Sequence, residues 1–200
     1  VRRARGDPLA YILGHQEFCQ LDFVVDRRVL IPRHETELLV QLARDATRQM
    51  RGASPVIVDV GTGSGAIALT LARHLPAARV IATDISRDAL AVARINAQRL
   101  DLEHVEFVCG DLLEPVREPF DILLANLPYI PSARYVELPR EIREHEPRLA
   151  LDGGSDGLML MRGLLRQFEK NAASDAIALL EISEEQGAAA TELVRHELPR

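Results

Sequence analysis

The chain contains 200 residues, 47% of them hydrophobic, and carries a formal net charge of −6 at neutral pH. This apolar content is enough for the core of one globular domain, and no apolar run approaches the roughly 20 residues that a membrane-spanning helix needs. Cys19 and Cys109 are too far apart for a metal-type spacing, and the histidines are scattered. We therefore expect a cytoplasmic protein that uses no metal and no membrane. We also expect a monomer, although nothing in the sequence determines the oligomeric state. The acidic charge argues against nucleic acid as a direct partner.

The first 50 residues precede the first long apolar strand. Six arginines and four acidic residues in positions 1–33 give a weak positive charge, which is typical of a solvated edge. A loose alternation of apolar and polar residues from Phe18 to Val29 predicts a short β-hairpin. The chain then leads into a helix, for which Thr36 is a candidate N-cap, and Glu35 and Glu37 suit the positive end of its dipole.

Beyond residue 50, strand-like and helix-like stretches alternate. Such alternation predicts an α/β fold with a doubly wound, mostly parallel sheet whose two faces are covered by helices. Ligands of such sheets bind outside the carboxyl ends of the strands. The predicted strands lie near 56–60, 79–84, 105–109, 120–125 and 176–182, and the predicted helices near 65–75, 86–100, 156–170 and 184–197.

The first of these strands runs into a glycine-rich loop, Asp59-Val60-Gly61-Thr62-Gly63-Ser64-Gly65. Glycine adopts positive φ at little cost and lets a ligand approach the main chain, while the following helix offers unpaired N–H groups. A G-x-G-x-G loop preceded by an acid is typical of S-adenosylmethionine sites. Dinucleotide folds instead use G-x-G-x-x-G, and position 66 is alanine. The whole segment, from Asp59 through Thr62 and Ser64 to Gly65, is a candidate cofactor site.

The next two strands also end in acidic residues. Asp84 lies 23 residues beyond Gly61, near the spacing at which a carboxylate accepts the hydroxyls of a ribose. After the third strand, Asp111 is a candidate acceptor for the exocyclic amine of adenine, and Leu112 for covering the ring. Asp111 is equally suited to a turn or a helix cap.

The fourth strand ends in Asn126-Leu127-Pro128-Tyr129, which are candidate catalytic and acceptor-binding residues. An amide or aromatic amine is a poor nucleophile, and a methyltransferase can hold its two N–H bonds with two acceptors. Asn126 has one such oxygen, and the carbonyl of Leu127 offers another because Pro128 restricts that residue to an extended conformation. Tyr129 can pack against a planar acceptor. The pattern favours methyl transfer to nitrogen without a covalent enzyme intermediate.

Several separated motifs together resemble the HemK-type glutamine-N5 methyltransferases of peptide-chain release factors. The resemblance runs from about Gly6 to the end of the chain. It is carried by Asp7-Pro8-Leu9-Ala10-Tyr11-Ile12-Leu13-Gly14, by Val29-Leu30-Ile31-Pro32-Arg33-His34-Glu35-Thr36-Glu37, by the Asp59 to Gly65 loop, by Asn126 to Ile130, and by Glu146-Pro147-Arg148-Leu149-Ala150-Leu151-Asp152-Gly153-Gly154 with Asp156-Gly157-Leu158.

The resemblance implies a class I, Rossmann-like methyltransferase that uses S-adenosyl-L-methionine. It implies that the glycine loop, Asp84, Asp111 with Leu112, and Asn126 hold the cofactor. It also implies that Asn126 to Tyr129 hold the glutamine of the release factor, with Arg33 and Glu35 near the acceptor mouth.

The same resemblance implies a domain organisation. A hairpin and helix in residues 1–50 would pack on a methyltransferase domain formed by residues 51–200. The family's upstream helical domain, which helps to recognise the protein partner, and its closing strand pair are not found in the sequence, so we expect a chain trimmed at both ends.

Two departures from the family pattern leave alternatives open. Leu127 stands where the family has proline, and Asn-Leu-Pro-Tyr also occurs in ribosomal-RNA adenine dimethyltransferases. His34 replaces another usual proline. The alternatives are methylation of a ribosomal-protein glutamine, adenine-N6 methylation of RNA or DNA, and a module that binds the cofactor without turnover. A nicotinamide-dependent oxidoreductase is a further alternative, which rests only on the glycine loop and Asp84.

Overall fold

A central parallel sheet organises the molecule. The computed structural model describes residues 2–50 and 54–199. Two antiparallel strands, β1 (His15–Phe18) and β2 (Leu21–Val24), precede five parallel ones, which are β3 (Val56–Val60), β4 (Arg79–Asp84), β5 (Glu106–Cys109), β6 (Phe120–Ala125) and β7 (Ala172–Leu180). The predicted α/β fold, with its preceding hairpin, is confirmed.

Helices connect the strands and cover the sheet. They are α1 (Leu9–Leu13), α2 (Glu37–Gln49), α3 (Ala66–His74), α4 (Arg87–Arg99), α5 (Ser132–Tyr135), α6 (Arg140–His145), α7 (Met159–Phe168) and α8 (Gly187–Glu197). Short 3₁₀ turns at His34–Thr36, Arg148–Ala150 and Glu184–Gln186 lead into or link these segments. Within the described residues, no helix combines the length and apolarity required to cross a bilayer.

The strand order places the ends of β3 and β6 side by side. The order across the sheet is β5-β4-β3-β6-β7, so the chain runs outward from β3 in one direction and then returns to its other side. Val60, the last residue of β3, is aligned with Thr83 of β4 and with Ala125 of β6. Such a reversal opens a crevice beyond the carboxyl ends of the strands. The residues that follow β3 and β6 therefore face one crevice.

Alternate residues of the central strands enter two separate hydrophobic clusters. Ile57 and Ile122 pack with helices α2 and α3 on one face, together with Phe18 and Phe23 of the hairpin. Val58 packs on the other face with residues of α7. This alternation follows from the period of two in a strand. The hairpin therefore contributes to the hydrophobic core beside the sheet.

The expected domain boundary between residues 50 and 51 adjoins residues 51–53, which lie outside the described part of the chain.

The hairpin lies earlier than predicted. The alternation from Phe18 to Val29 placed it too far along the chain, because β2 ends at Val24. Its turn is formed by Cys19 and Gln20, which adopt positive φ values of 49° and 65°. Two-residue hairpin turns need this conformation and normally use asparagine or glycine. Because neither residue is present, the turn could not be recognised from its residue types.

Two further boundaries differ from the prediction. Thr36 does not cap a helix, because it is itself in helical conformation and makes no capping hydrogen bond. The last strand was predicted over 176–182, whereas β7 begins at Ala172 and ends at Leu180. Its pairing with β6 includes an irregularity between Phe120 and Ile122, which obscures the alternation in this region.

Asn96 joins the hairpin to the glycine loop. This residue of α4 is fully buried. Its Oδ1 accepts from the N–H of Val24 at 2.7 Å, and its Nδ2 donates to the carbonyls of Val24 at 3.0 Å and Ser64 at 2.9 Å. A single amide thus satisfies three main-chain groups in two segments that are distant in sequence.

We predict that Asn96→Ala lowers the free energy of unfolding by about 2–4 kcal/mol, because it leaves buried main-chain groups without partners. Equilibrium denaturation in urea measures the change. Gln98→Ala is the matched control, since Gln98 is exposed on the same helix, and it should change stability by less than about 0.5 kcal/mol. Equal losses in the two variants would contradict the role of Asn96.

Candidate active site

The segments that follow β3, β4, β5 and β6 line one cavity. The predicted site residues in its lining are Gly61, Thr62, Gly63, Ser64, Asp84, Asp111, Leu112, Asn126, Leu127, Pro128 and Arg33. Of the other predicted residues, Asp59, Gly65, Glu35 and Tyr129 do not line it. The structure therefore brings together most of the residues singled out in the sequence.

The glycine loop is held open by its backbone conformation. Gly61, Gly63 and Gly65 all have positive φ, at 74°, 56° and 82°. The N–H groups of Gly61 and Thr62 both donate to the carbonyl of Thr83 at 2.9 Å. A Cβ on Gly63 would meet no atom within 4 Å, so a ligand can approach the main chain there.

Asp84 joins the glycine loop to the end of β4. Its carboxylate accepts from the N–H of Gly63 at 2.9 Å and from the N–H of Ser86 at 2.8 Å. Burial raises the pKa of Asp84 above its usual range, and these backbone hydrogen bonds oppose the shift. An ionised carboxylate has about four acceptor sites, so Asp84 keeps acceptor capacity for hydroxyl donors in the cavity.

Asp59 lies beneath the loop. It is fully buried, and its Oδ2 accepts from the Thr62 hydroxyl at 2.6 Å and from the N–H of Ala68 at 3.2 Å. Its Oδ1 has no hydrogen-bond partner in the described residues. Gly65 is similarly enclosed, since a Cβ there would lie 3.0 Å from Leu69. Both residues shape the loop from behind the cavity wall.

Leu112, three residues beyond the end of β5, is held in an uncommon conformation. Its φ is 49°, which is costly for a branched side chain. The Thr83 hydroxyl donates to its carbonyl at 2.9 Å, and the next N–H, of Leu113, donates to Gln167 at 2.9 Å. These bonds place the Leu112 side chain in the cavity wall, while Asp111 remains exposed at its rim.

The Asn126-Leu127-Pro128-Tyr129 segment forms the opposite wall. The Nδ2 of Asn126 donates to the hydroxyl of Thr36 at 2.9 Å. Tyr129 lies outside the cavity lining, and its carbonyl accepts from Gln186 at 3.0 Å. Burial raises the pKa of the Tyr129 phenol. Asn126, Leu127 and Pro128 face the cavity, whereas Tyr129 fixes the segment to the molecule.

Gly153, in the motif from Glu146 to Gly154, supports this wall from behind. A Cβ on Gly153 would lie 2.5 Å from the carbonyl oxygen of Pro128 and 2.9 Å from the Cα of Tyr129. The N–H of Gly153 donates to the carbonyl of Ile130 at 2.8 Å, and Asp152 forms an isolated parallel bridge with Ile130. Only glycine permits so close an approach of the two chain segments.

Arg33 and Glu35 have different environments. Arg33 lines the cavity and forms an ion pair with Glu146 at 2.6 Å, and the other carboxylate oxygen of Glu146 accepts from the N–H of Ile31 at 3.2 Å. Glu35 is exposed and lies outside the cavity lining. His34, which stands where the family usually has proline, is also exposed and outside the lining. The motif residue Glu146 thus fixes Arg33 at the edge of the cavity.

Comparisons with known proteins agree with this architecture. A family model described as a methyltransferase domain matches residues 57–145. A release factor glutamine methyltransferase from Moorella thermoacetica is 50% identical over 196 residues, which cover 97% of this chain and 68% of that protein. The chain belongs to the release factor glutamine methyltransferase family. The resemblance inferred from its motifs is therefore confirmed.

Other relatives of the family cover shorter stretches. The protein of that name from Geobacter sulfurreducens is 50% identical over 163 residues, 81% of this chain and 56% of its own length. The chain thus spans between about half and about two thirds of the length of the curated relatives that it matches.

Solved structures show the same fold at low identity. A ribosomal protein L11 methylase from Lactobacillus delbrueckii has a TM-score of 0.61 at 22% identity and covers 83% of this chain and 69% of its own. A SAM-dependent methyltransferase from Agrobacterium tumefaciens has a TM-score of 0.63 at 16% identity, with 92% and 57% covered. These structures support the Rossmann-like methyltransferase fold of the family member described here.

Sequence reasoning missed two polar residues beside Asn126. Thr36 was expected to cap a helix, but its side chain lines the cavity and accepts from Asn126. Glu181 follows β7, as Asp84 ends β4, and the side chains of Thr36 and Asn126 are near enough to lower the pKa of its carboxyl group. Because the strand prediction extended to residue 182, Glu181 was assigned to the strand itself. An acid just after a buried strand was the signal that could have found it.

We predict that Asp59 makes stability depend on pH. Burial raises its pKa from 3.8 to about 7, with the Thr62 and Ala68 hydrogen bonds opposing the shift. The native state therefore holds this proton more tightly than the unfolded chain does. Asp59 destabilises the fold above pH 7, and that penalty disappears as the pH falls toward 4.

The variant Asp59→Asn keeps one carbonyl oxygen for Thr62 and Ala68 and removes the charge. It should raise the free energy of unfolding at pH 8 by roughly 2–4 kcal/mol. It should also reduce the increase in that free energy that the unsubstituted protein is expected to show as the pH falls from 8 to 5. Urea denaturation at several pH values measures both effects. Identical pH profiles for the two proteins would show that Asp59 is not the group responsible.

Proposed function

We propose that this protein methylates the side-chain amide nitrogen (N5) of the glutamine in the Gly-Gly-Gln loop of a peptide-chain release factor, using S-adenosylmethionine. The proposal depends chiefly on the cavity shared by the glycine loop and Asn126, which follow the neighbouring strands β3 and β6. The names of relatives at 50% identity support the choice of substrate.

The residues of the cavity fit S-adenosylmethionine. When bound, this cofactor supplies an electrophilic methyl group. Asp84 has acceptor sites left for ribose hydroxyls, and the open space beside Gly63 admits a ligand to the main chain. Leu112 offers an apolar surface to the adenine ring, and Asp111 at the rim offers an acceptor to its amine. Asp59 acts on the cofactor through the loop it supports.

The other wall holds the acceptor. An amide nitrogen is a weak nucleophile because its lone pair is delocalised into its carbonyl group. We assign the Oδ1 of Asn126 and the carbonyl of Leu127 as acceptors for the two N–H bonds of the glutamine. Pro128 keeps Leu127 extended, and Tyr129 anchors the segment and offers its ring to the planar amide. On methyl transfer the nitrogen would gain the methyl group, the cofactor would leave as the neutral thioether, and one of the two N–H protons would be released to solvent. The rate enhancement then comes from alignment and from oriented dipoles.

Arg33 lies at the mouth of the cavity, and we assign it to contacts with the acceptor protein. Its ion pair with the buried Glu146 fixes the guanidinium at the edge of the lining. Glu35 is exposed beside it and is assigned to the same surface, where it would contact the release factor outside the cavity.

The deciding experiment measures transfer of a labelled methyl group from S-adenosylmethionine to a purified release factor. The same factor with Gln→Ala in its Gly-Gly-Gln loop, a ribosomal-protein fraction and ribosomal RNA are parallel acceptors. Label on the intact factor alone supports the proposal. Label on RNA would instead support adenine methylation, and label on the Gln→Ala factor would exclude the assigned glutamine.

Asp84→Ala should weaken binding of S-adenosylmethionine by about 10- to 100-fold, because it removes a carboxylate from two hydroxyl donors. Isothermal titration calorimetry measures the affinity, and circular dichroism verifies folding. Asp88→Ala is the control, since Asp88 is an exposed acid in the first turn of α4. Unchanged affinity in Asp84→Ala would remove Asp84 from the cofactor site.

Asn126→Ala should reduce kcat by an amount equal to about 2–4 kcal/mol of transition-state stabilisation, because one oriented polar contact at the reacting group is lost. Binding of S-adenosylmethionine should change far less. Steady-state kinetics with the release factor separate the two effects. Near-normal turnover would exclude Asn126 from the role assigned to it.

A further inference from the structure

The orientation of the Asn126 amide depends on its neighbours. Its Nδ2 donates to the Thr36 hydroxyl at 2.9 Å, which leaves its Oδ1 for another donor. Thr36 is 5% exposed, lies immediately before α2 and lines the cavity. The two ends of an asparagine amide have nearly the same shape, so shape alone does not select this orientation. A polar partner must select it.

Glu181 lies where it can act as that partner. It follows β7, and its N–H donates to the carbonyl of Ala125 at 3.0 Å, which places it beside the end of β6. The hydroxyl of Thr36 and the amide of Asn126 are the hydrogen-bonding groups that lower the pKa of its carboxyl group, so both lie close to it. Its Oε2 is buried and has no hydrogen-bond partner in the described residues. A buried carboxylate oxygen of this kind is an acceptor that needs a donor.

The chemistry of the three groups gives the arrangement a direction. An ionised carboxylate only accepts hydrogen bonds, and a hydroxyl has one proton to donate. If Thr36 gives its proton to Glu181, its oxygen can only accept from Asn126, so Nδ2 must face Thr36. If the carboxyl group is neutral, the Thr36 proton is free for Oδ1 of Asn126, and the reversed amide is equally satisfied.

We propose that Thr36 and Glu181 are positioning residues, which together direct Oδ1 of Asn126 toward the amide N–H of the substrate glutamine. This inference rests on the proposed function and extends it to two residues that do not belong to the Asn-Leu-Pro-Tyr motif. The reversed amide would present an N–H to the substrate N–H, so the orientation decides whether the acceptor nitrogen is held or repelled.

The charges around Glu181 give the proposal a pH dependence. Burial is the main cause that raises the pKa of Glu181, and the negative charge of Glu35 adds to it. The hydrogen-bonding groups of Thr36 and Asn126 and the positive charge of Arg33 oppose the shift, and the Tyr129 phenol is the other titratable group that faces this carboxyl. Activity should therefore fall on the acid side as Glu181 takes up a proton.

The test compares Thr36→Val, Thr36→Ser and Glu181→Gln, each alone and combined with Asn126→Ala. Thr36→Val and Glu181→Gln should lower kcat about 10- to 100-fold and leave the affinity for S-adenosylmethionine within about twofold. Thr36→Ser keeps the hydroxyl and should retain most of the activity. In the Asn126→Ala background, neither change should lower kcat further, because both act through Asn126.

Two matched controls make the same chemical changes elsewhere. Thr191→Val and Glu192→Gln alter exposed residues of α8 and should leave kcat unchanged. Glu181→Gln should also remove the acid-side fall in kcat that we expect of the unsubstituted enzyme, a result that loss of packing would not give.

A measurement without turnover checks the orientation itself. In nitrogen-15 NMR spectra, the side-chain amide protons of Asn126 should be protected from exchange in the unsubstituted protein and lose that protection in Thr36→Val. Additive losses of kcat in an active enzyme, or an unprotected Asn126 amide, would overturn the positioning role alone. Absence of methyl transfer by the unsubstituted protein would overturn the proposed function and the role that depends on it.

Discussion

The site depends on one topological constraint, which is the reversal of strand order at β3. The chain leaves β3 toward β4 and β5 and returns as β6 on the other side, so Val60 and Ala125 end as neighbours. The loop that begins at Gly61 and the wall that begins at Asn126 therefore start from neighbouring strands and face each other across the cavity. The donor and acceptor halves of the proposed reaction are held by adjacent strands of one rigid sheet.

Burial of carboxylates is the second theme of the structure. Asp59, Asp84 and Glu181 all lie in or behind the site, and burial raises the pKa of each. Each is placed where a loop, a hydroxyl or an amide must be fixed in one orientation. In a medium of low polarity such groups orient donors strongly, at the expense of stability, which is a common property of binding and catalytic sites.

Much of this arrangement was predictable from the sequence, because its signals are local. The apolar strands, the glycine spacing and the acid at Asp84 each follow from periodicity or from backbone conformation. The turn at Cys19 and Gln20 was not predictable, since residues other than glycine and asparagine rarely adopt positive φ. The proposed roles of Thr36 and Glu181 were not predictable either, because these residues lie 145 positions apart and come close together only in the folded chain.

The triple hydrogen bond of Asn96 has a consequence for motion. Opening of β2 away from α4 would release the amide that also holds the Ser64 carbonyl in the glycine loop. The hairpin and the loop therefore belong to one cooperative unit of local unfolding, although they are far apart in sequence. A ligand that orders the loop would slow amide exchange in the hairpin, so the N-terminal segment reports on the occupancy of the cavity.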